Sequence, residues 1–403
     1  MNIAILSKSD RLGGGGGRCA EDLVNFLKQN NYNVNHFARS SKYTNAIKLY
    51  TEREKWIYHR LRSIGFQEII PFEKKVIRKH DNINYYDIFH FHDISTAISP
   101  LTLKWLSNNN KRIIWTLHDC SMFTGGCVNP LNCIKYQKIC YNCPQLGNLP
   151  LAKNIDLSFL FHMIKKYILK NSNIIFVTPS KWLAEMIYKT GYINTYPIII
   201  ANGVDLNIFK KYNKDEIRMK LNLPINRFII LLSSSGFDNP YKGISYAIEI
   251  ITKLKEINPY ILMVGKPDEK INSLLKNFDK FETGYIEDKN ELNKYYSCAD
   301  IFLNTTIADN LPITVLEVMA SMTPVYGFYT GGIPEIITQN EDGFLVKDKN
   351  ILQLIDKILY SYKTKEFIKM GINARKKIER YFSIEIFYQK YIELYNIIYE
   401  NKL

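Results

Sequence analysis

Short apolar segments alternate with amphipathic segments from one end of this 403-residue chain to the other. This alternation of predicted strands and helices favours parallel sheets with helices on both faces. The chain is also longer than one hydrophobic core usually supports. We therefore predict an α/β protein with two doubly wound, Rossmann-like domains. The predicted strands are NIAILS, NHFAR, YDIFHFHD, RIIWTLHD, NIIFVTPS and YPIIIANG in the first half, and RFIILLSSSG, YILMVGK, FETGYI, DIFLNTT and TPVYGF in the second.

The join between the predicted domains lies near residues 198–212, where Asn202, Gly203 and Asp205 are turn-forming residues between a strand and polar sequence. In open parallel sheets, ligands bind beyond the carboxyl ends of the strands. Two facing domains would therefore enclose a cleft. We expect functional residues in the loops that follow strands.

The sequence contains no pattern typical of a signal peptide or a membrane span. The opening MNIAILSKSD has no basic region and no cleavage site, so it is predicted to be a buried strand. The apolar stretch LSFLFHMIKKYILK is interrupted by His162, Lys165 and Lys166 and is too short to span a bilayer. We expect a cytoplasmic protein.

The chain is basic, with a formal net charge of +14, and the charge is unevenly distributed. Residues 41–80 contain ten Lys or Arg against four Glu. Apolar residues between Trp56 and Ile70 are interleaved with these cations, as in a segment that lies on an anionic bilayer, although a solvated helix face has the same pattern. No helix-turn-helix, zinc-finger or RNA-recognition signature accompanies the charge, so we expect no nucleic-acid partner.

Five consecutive glycines, Gly13 to Gly17, follow the first predicted strand and precede a helix. Such a loop lets a ligand approach the backbone, and the free NH groups of the helix favour an anion. A flexible turn has the same composition. A dinucleotide site would require an acidic residue after the second strand, where this chain has ARSS. NAD is therefore excluded, and an NADP-dependent oxidoreductase that uses Arg39 is kept as an alternative.

Two stretches of the second half carry charged residues where a nucleotide could bind. Lys242 follows a strand in SSSGFDNPYKG, so it could meet phosphate oxygens. Asp309 and Glu317 are eight positions apart in ADNLPITVLEVM. Asn310 is a predicted helix cap there, with Pro312 in the first turn. On one helix the acids would be roughly 12 Å apart, which suits a ribose and a sugar joined by a diphosphate, although ordinary amphipathic helices share this spacing.

The acid pair resembles the acid-x7-acid signature of the retaining GT-B glycosyltransferases of family 4, in the ENLP-type variant of bacterial exopolysaccharide enzymes. The segments PSKWLAEM, NGVDLNIF, KGISYAIE and GGIPEIITQNEDGFLV stand in the family's order, and TLHD, FTGGC and CPQL resemble colanic-acid-type members. The resemblance implies a GT-B fold whose C-terminal helix crosses back to the first domain. The domains would be 1–200, with a Cys-rich loop at 118–146, then 201–375, and the helix 376–403.

The same resemblance implies roles for individual residues. Glu317 would hold the nucleotide ribose, and Lys242 would bind the diphosphate. Asp309 stands where Glu is usual and would contact the donor sugar. His118 matches the family histidine that contacts this sugar near the reacting carbon. The implied donor-binding residues are Gly15, Gly16, Gly17, Lys242, Asn310, Leu311, Pro312, Ile313, Thr314 and Glu317.

The implied reaction is a retaining, front-face transfer in which the acceptor hydroxyl attacks on the leaving-group side. The family needs no catalytic metal, and the chain has no DxD motif that would require one. The arginine that the family commonly has in its phosphate motif is missing, because Gly236, Phe237 and Tyr241 occupy the candidate positions. Arg18 or Lys8 could supply the second cation for the diphosphate.

Five of the seven cysteines fall in one segment, directly after His118. Four thiolates suit a structural zinc ion, while free thiols, occasional disulfides or an iron–sulfur cluster are alternatives. Cys120 falls outside the spacing and is predicted to be a buried thiol. The four candidate ligands, spaced C-x5-C-x6-C-x2-C, are Cys127, Cys133, Cys140 and Cys143.

The sequence thus predicts a hexosyltransferase that moves a sugar from a nucleotide diphosphate, with UDP favoured over GDP, to a glycan in capsule or O-antigen-type polysaccharide synthesis. A lipid-linked acceptor would fit the basic first domain, which would keep the enzyme at the inner face of the cytoplasmic membrane. A protein or small-molecule acceptor is the alternative for the same fold.

Overall fold

The computed structural model describes residues 1–9, 14–41, 46–66, 69–81, 84–92, 95, 97–148, 150–234 and 236–400. Gly13 of the glycine run lies outside the described residues. The chain divides into two compact units, one formed by Met1–Ala201 with Tyr388–Leu403 and the other by Asn202–Phe387. Among the described helices, none combines the length and the apolar character needed to cross a membrane.

The first unit is built on one parallel sheet. Its strands are β1 (Asn2–Ser9), β2 (Asn33–Ser40), β3 (Ile47–Lys48), β4 (Ile88–His92), β5 (Arg112–Thr116), β6 (Ile174–Thr178) and β7 (Ile198–Ile199). Their order across the sheet is β3-β2-β1-β4-β5-β6-β7. Strand β4 lies at the centre of the sheet and is buried along its whole length. The order reverses between β1 and β4, which is where a parallel sheet opens a crevice for ligands.

Helices connect these strands as the apolar spacing predicts. They are α1 (Gly15–Gln29), α2 (Glu52–Ser63), α3 (Lys74–His80), α4 (Pro100–Asn108), α5 (Ser158–Lys170) and α6 (Lys181–Tyr188). Thr51 and Glu54 form a capping box at α2, and Ser99 caps α4 before Pro100. Because parallel crossovers are right-handed, α1 covers one face of the sheet, while α4, α5 and α6 cover the other.

The second unit contains a similar parallel sheet. Its strands are β8 (Ile229–Ser233), β9 (Tyr260–Val264), β10 (Lys280–Glu282), β11 (Ile301–Asn304), β12 (Val325–Phe328) and β13 (Gly343–Val346), in the order β10-β9-β8-β11-β12-β13. The central strands β8 and β11 are rich in Ile, Leu and Phe because both faces of the sheet are covered.

The remaining helices follow the strands of the second unit. They are α7 (Lys214–Lys220), α8 (Ile244–Lys253), α9 (Glu269–Leu274), α10 (Lys289–Cys298), α11 (Ile313–Ala320), α12 (Ile333–Ile336), α13 (Ile351–Thr364), α14 (Glu366–Tyr381) and α15 (Ile384–Tyr399). From Tyr388 onward, α15 belongs to the first unit. There Tyr388 stacks on Phe26 of α1 with ring centroids 3.9 Å apart. This confirms the predicted helix that crosses back.

Two parts of the fold differ from the sequence-based expectation. Strands β3 and β13 were not predicted: one has only two residues, and the other is the four-residue GFLV that ends GGIPEIITQNEDGFLV. The tract from Ala374 to Tyr399 is not a continuous helix. It is interrupted at Phe382 and Ser383, where Val204 pairs with the chain: its amide donates to the Phe382 carbonyl and its carbonyl accepts from Ile384.

A buried ion pair fixes α7 to the sheet of the second unit. The Arg218 guanidinium donates to Asp300 Oδ2 at 2.8 Å, and to the carbonyls of Cys298, Ile225 and Arg227 at 2.9–3.2 Å. The same Asp300 oxygen accepts from the backbone amide at the start of β8, at 2.8 Å. All of these donors and acceptors are paired, which is the condition under which a buried charge stabilises a fold.

Candidate functional site

Three loops of the second unit meet at Asp309, beyond the carboxyl ends of β8, β11 and β12. The loop after β11 carries Asp309, and its Ile307 amide donates to the Tyr241 carbonyl of the loop after β8 at 2.9 Å. From the loop after β12, the Gly332 amide donates to the Asn310 carbonyl at 2.7 Å. The three strands are neighbours in the sheet, so their loops lie at the edge where ligands bind in such folds.

Two glycines allow the loops to approach this closely. Gly243 has a φ of 61°, and a Cβ atom there would lie 2.1 Å from the Thr305 carbonyl oxygen. Gly331 has a φ of 57°, and a Cβ atom there would lie 1.7 Å from the Asp309 carbonyl oxygen. Any other residue at these positions would be strained and would push the loops apart.

Lys242 and Asp309 form an ion pair across this junction, with Nζ 2.9 Å from Oδ2. Lys242 ends a short turn that Asn239 opens by accepting the Tyr241 amide at 3.0 Å. Both side chains of the pair stay partly exposed, at 31% and 22%. A partly solvated pair is weak, so an incoming polyanion can compete with Asp309 for the lysine.

Glu317 lies on α11, with only 2% of its surface exposed. The helix begins at Ile313, after Pro312, whose ψ of 121° is extended. Asp309 and Asn310 therefore precede the helix. The predicted cap at Asn310 is wrong, and the 12 Å estimate, which assumed one continuous helix, does not apply.

Long-range hydrogen bonds explain why the helix starts late. The Leu311 carbonyl accepts from the Asn202 side chain at 2.8 Å, and the Asn310 carbonyl is occupied by Gly332. Both carbonyls thus have a partner outside the helix, which holds the segment before Ile313 in an extended conformation. Asn202, which is buried, thus supports the loop between the two acids, although the sequence indicated only a turn former.

The glycine run is largely helical rather than a loop. Gly14, with a φ of 93°, precedes α1, and Gly15 to Gly17 form the first turn of that helix. No side chain caps this terminus. The guanidinium of Arg39 lies 4.0 Å from the Tyr58 ring centroid and 5.5 Å from that of Tyr50. Arg39 is thus packed against aromatic rings.

Three histidines lie near the carboxyl ends of β4 and β5 in the first unit: His90 and His92 are fully buried, and His118 is partly buried. His92 Nδ1 and His118 Nε2 are 3.1 Å apart, and their ring centroids are 5.3 Å apart with planes at 26°, so the rings lie side by side. His90 bonds through Nδ1 to Tyr395 of α15 at 2.6 Å and through Nε2 to Thr116 at 2.8 Å. The family resemblance implied His118, whereas the contribution of α15 required the tertiary structure.

Burial keeps these imidazoles neutral. It lowers the pKa of His118 to about 4 and that of His90 to about 3. The pKa of His92 also falls well below its ordinary value, first because of burial and then because of the neighbouring His90 and His118. At neutral pH, His118 can therefore donate or accept a hydrogen bond without carrying charge.

The stability of the first unit should fall with acid because of His90. Its pKa is about 3 in the folded protein, against an ordinary value of 6.5 for histidine, so the unfolded chain binds more protons between these pH values. The free energy of unfolding should then decrease by up to about 3 kcal/mol per histidine as the pH falls from 6.5 to 4. Denaturant unfolding across this range should show a shallower pH dependence for His90→Gln than for the wild type, and equal slopes would contradict the assignment.

The Cys-rich loop is held by protein hydrogen bonds from α5 and its neighbourhood. Lys165 Nζ donates to the Ser121 carbonyl at 2.8 Å, and His162 Nδ1 accepts the Cys140 amide at 2.9 Å. Asp156 accepts the Cys143 amide at 2.8 Å. These bonds brace the loop beside His118.

Burial, and then the neighbouring candidate ligands, raise the pKa of Cys127 to about 12 and that of Cys140 to about 11. Within the described part of the chain, no group of three or more His, Cys, Asp or Glu residues is arranged to hold a metal. The present arrangement therefore does not fit a zinc ion, and the site stays a prediction that metal analysis of the purified protein can decide. Cys120 is buried as expected, at 1% exposure.

Two family models match the chain. The model for glycosyltransferase family 4 matches residues 13–208, and the model for glycosyl transferases group 1 matches residues 228–364. The matches cover nearly all of the first unit and the site-bearing part of the second. The chain belongs to glycosyltransferase family 4.

Relatives in this glycosyltransferase family match the chain over part of their length. Trehalose synthase of Pyrococcus horikoshii is 32% identical over 183 residues, 41% of this chain and 43% of that protein. The N,N'-diacetylbacillosaminyl-diphospho-undecaprenol alpha-1,3-N-acetylgalactosaminyltransferase of Campylobacter jejuni is 23% identical over 214 residues, 52% of this chain and 56% of that protein. The matches span about half the length of these relatives.

Solved structures of glycosyltransferases match the whole fold. Sucrose-phosphate synthase from Thermosynechococcus elongatus has a TM-score of 0.74 at 20% identity, covering 100% of both chains. HepE from Anabaena, solved in complex with UDP, has a TM-score of 0.68 at 14% identity, covering 98% of this chain and 100% of that one. The predicted GT-B fold, with two Rossmann-like domains, is confirmed. Family membership removes the support for an NADP-dependent oxidoreductase. In addition, the Arg39 guanidinium on which that alternative depended is packed against Tyr50 and Tyr58.

Proposed function

We propose that this family 4 member transfers a sugar from a nucleotide diphosphate donor to a glycan acceptor, with retention of the anomeric configuration. The observation that carries the proposal is the junction in the second unit, where the Lys242–Asp309 ion pair and the buried Glu317 follow neighbouring strands. One cation and two carboxylates suit the parts of such a donor. The cation suits the diphosphate, and carboxylates accept hydrogen bonds from sugar hydroxyls.

Donor binding would rearrange the ion pair. A diphosphate carries more negative charge than one carboxylate, so it would draw the Lys242 ammonium away from Asp309. Asp309 would then be available to the hydroxyls of the transferred sugar, while Glu317 holds the ribose. The hydrogen bonds that Asp309 and Glu317 accept from the donor would thus offset part of the loss of the Lys242–Asp309 ion pair.

The chemistry needs stabilisation of a leaving nucleotide diphosphate, whose negative charge grows as the glycosidic bond breaks. Preorganised donors around the diphosphate stabilise this charge without reorganisation. The sugar carbon becomes oxocarbenium-like, as in glycosidases. His118 is neutral at the pH of the cell, so it would orient the sugar by a hydrogen bond without adding a positive charge beside a cationic carbon.

UDP is the favoured nucleotide, with GDP as the alternative. Support comes from the structural similarity to HepE, which was solved with UDP and with UDP-glucose. Thermal shift with UDP, GDP and their sugars tests the choice directly. A glycosyltransferase assay then follows release of the nucleotide, and NMR of the product's anomeric proton tests retention. Absence of stabilisation and of release across all donors would contradict the proposal.

The proposed acceptor is a lipid-linked glycan at the inner face of the cytoplasmic membrane. The Campylobacter relative is named for a diphospho-undecaprenol-linked acceptor, and a net charge of +14 suits an anionic membrane. Capsule or O-antigen synthesis would supply such acceptors. Transfer to a water-soluble glycan at the same rate as to its lipid-linked form would favour the protein or small-molecule alternative.

Lys242→Met should weaken nucleotide diphosphate binding by at least about tenfold, because it removes the cation that meets the phosphates. Binding of UDP or GDP by isothermal titration calorimetry measures this. Lys253→Met is the matched control, because Lys253 is exposed and pairs with Glu249 on α8 at 3.2 Å. If the two variants bind equally well, another residue neutralises the diphosphate.

A further inference from the structure

Helix α5 exposes four large apolar residues, and its inward face buries three polar residues beside Phe161, Ile168 and Leu169. Its outward side chains are Phe159, Leu160, Met163 and Tyr167, with 52%, 39%, 41% and 59% of their surface exposed. On the inward face, Ser158, His162 and Lys165 are almost completely buried. Surface helices of soluble proteins normally show the opposite arrangement.

The inward polar residues have a structural purpose. Lys165 and His162 hold the Cys-rich loop through the Ser121 carbonyl and the Cys140 amide, and His162 Nε2 also lies 3.1 Å from the Tyr192 hydroxyl. This accounts for the buried polar residues of α5. It does not account for the exposed surface of the four large apolar side chains.

The apolar surface continues beyond the helix. A Cβ atom at Gly65 would contact the Leu157 side chain at 3.2 Å and that of Ile155 at 3.4 Å, so the end of α2 lies against the segment that precedes α5. Ile155 is 39% exposed, and Ile64 beside Gly65 is 49% exposed. We call the surface formed by Ile64, Ile155, Phe159, Leu160, Met163 and Tyr167 the α5 face. A contiguous apolar surface of this kind marks an interaction site.

Among the described residues, the charges closest to the apolar stripe of α5 are mainly positive. Neither α5 nor the adjacent α4 contains an acidic residue. Lys104 of α4 has its ammonium 5.9 Å from the centroid of the Tyr167 ring, and Lys166 and Lys170 flank the apolar stripe. Asp156, the acid that precedes α5, accepts the backbone amides of Cys143 and Ser158. The partner must therefore be apolar at its centre and negatively charged around it.

We propose that the α5 face docks on the surface of an anionic lipid bilayer. Its large apolar side chains would enter the boundary between headgroups and acyl chains, while the lysines contact anionic headgroups, as in interfacial amphipathic helices. Docking would hold the enzyme beside a lipid-linked acceptor. The biological role of the α5 face therefore rests on the proposed function. Docking through this face also moves the predicted membrane contact from the segment around Trp56 to α5.

A second copy of the chain fits this surface less well. A symmetric dimer would place the same patch on both subunits. The rim lysines of one subunit would then face those of the other; they are Lys104, Lys166 and Lys170. Like charges brought together at an interface oppose association. An anionic bilayer instead complements the lysines at the rim of the face.

Vesicle sedimentation with the full-length protein tests the proposal without any need for activity. Vesicles of phosphatidylcholine with phosphatidylglycerol are compared with vesicles of phosphatidylcholine alone. We expect binding to the anionic vesicles that weakens as salt is raised, since lysines contribute part of it. Equal binding to both compositions, or none to either, would overturn the proposal.

The variant Phe159→Gln/Met163→Gln/Tyr167→Gln should lower the partition coefficient on anionic vesicles at least about tenfold. All three residues are exposed, so the fold should be kept. The matched control is Leu352→Gln/Tyr360→Gln/Ile368→Gln in the second unit, where exposures are 60%, 56% and 55%. The control should bind as the wild type does. Equal loss in both triple variants would overturn the assignment to α5.

Three further measurements separate the rival explanations. Trp56 is 60% exposed, and if Trp56→Gln alone abolishes binding while the α5 variant binds normally, the membrane contact lies on α2 and the proposal is wrong. Sedimentation velocity without lipid should show a monomer, and a dimer that the α5 substitutions dissociate would identify a second copy as the occupant. Nucleotide-sugar turnover with a lipid-free acceptor should be unchanged in the α5 variant, so loss of docking and failure of the proposed activity give different results.

Discussion

Replacing Glu317 by glutamine should reduce sugar transfer by at least about a hundredfold while the protein stays folded. In the proposed site, the carboxylate accepts hydrogen bonds from the ribose hydroxyls. Glutamine has nearly the same shape, but it loses the charge and replaces one acceptor oxygen with a donor group. Charge-assisted hydrogen bonds contribute about 1.5–3 kcal/mol each, and two of them account for a loss of this size. Glu317→Ala should be at least as severe.

The measurement is nucleotide release under initial-rate conditions with the donor that gives the largest thermal shift. A melting curve of each variant shows whether the fold is kept, which matters because Glu317 is buried. Glu341→Gln, on an exposed turn of the same unit, is the control and should behave as the wild type. Unchanged turnover in Glu317→Gln would be incompatible with the proposed donor site.

The second-unit site shows what sequence could predict and what it could not. Asp309, Glu317 and Lys242 were identified because post-strand loops carry ligands in parallel sheets and because the acid spacing resembles a family signature. The late start of α11 was not predicted. It depends on the Asn202 side chain, 109 positions before Leu311, and local cap preferences contain no information about such a distant donor.

The first unit shows a similar limit. His118 was predicted from its place at a strand end, but its neighbours come from different parts of the chain. His90 and Thr116 are bonded to tyrosines of α15 that lie 305 and 275 positions later. The pattern of α15 alone predicts an amphipathic helix. Its tyrosine hydroxyls acquire their role only when the helix packs on the first sheet.

The cysteine spacing was the clearest metal signature in the sequence, yet the loop obtains its shape from other residues. Lys165 and His162 looked like interruptions of an apolar stretch, and they now account for much of the bracing of that loop. A buried lysine beside a backbone carbonyl leaves no periodic signal, because only the tertiary structure shows that its donor is satisfied. The same inward placement of polar residues is what leaves the apolar side of α5 exposed.

Arg218→Met should destabilise the second unit by about 3–5 kcal/mol, the range for breaking a buried ion pair by removing one partner. The Asp300 carboxylate would remain buried with only Lys214, at 3.1 Å, as a cationic partner. The carbonyls of Cys298, Ile225 and Arg227 would also lose their donor. Asp300→Asn should cost less, because an amide can still accept the β8 amide without carrying a charge.

Hydrogen exchange of peptides from β8 and β11 is the appropriate measurement, because a chain with two units need not unfold in one step. Protection of these strands should fall in Arg218→Met, while peptides of β4 and β5 in the first unit keep theirs. The double variant Arg218→Met/Asp300→Asn should lose less than the sum of the single variants, since the uncompensated charge is gone. Arg380→Met, which removes an exposed guanidinium 5.1 Å from the Tyr381 ring centroid, should leave protection nearly unchanged. If Arg218→Met matches that control, the buried pair contributes little and packing of α7 must hold the unit together.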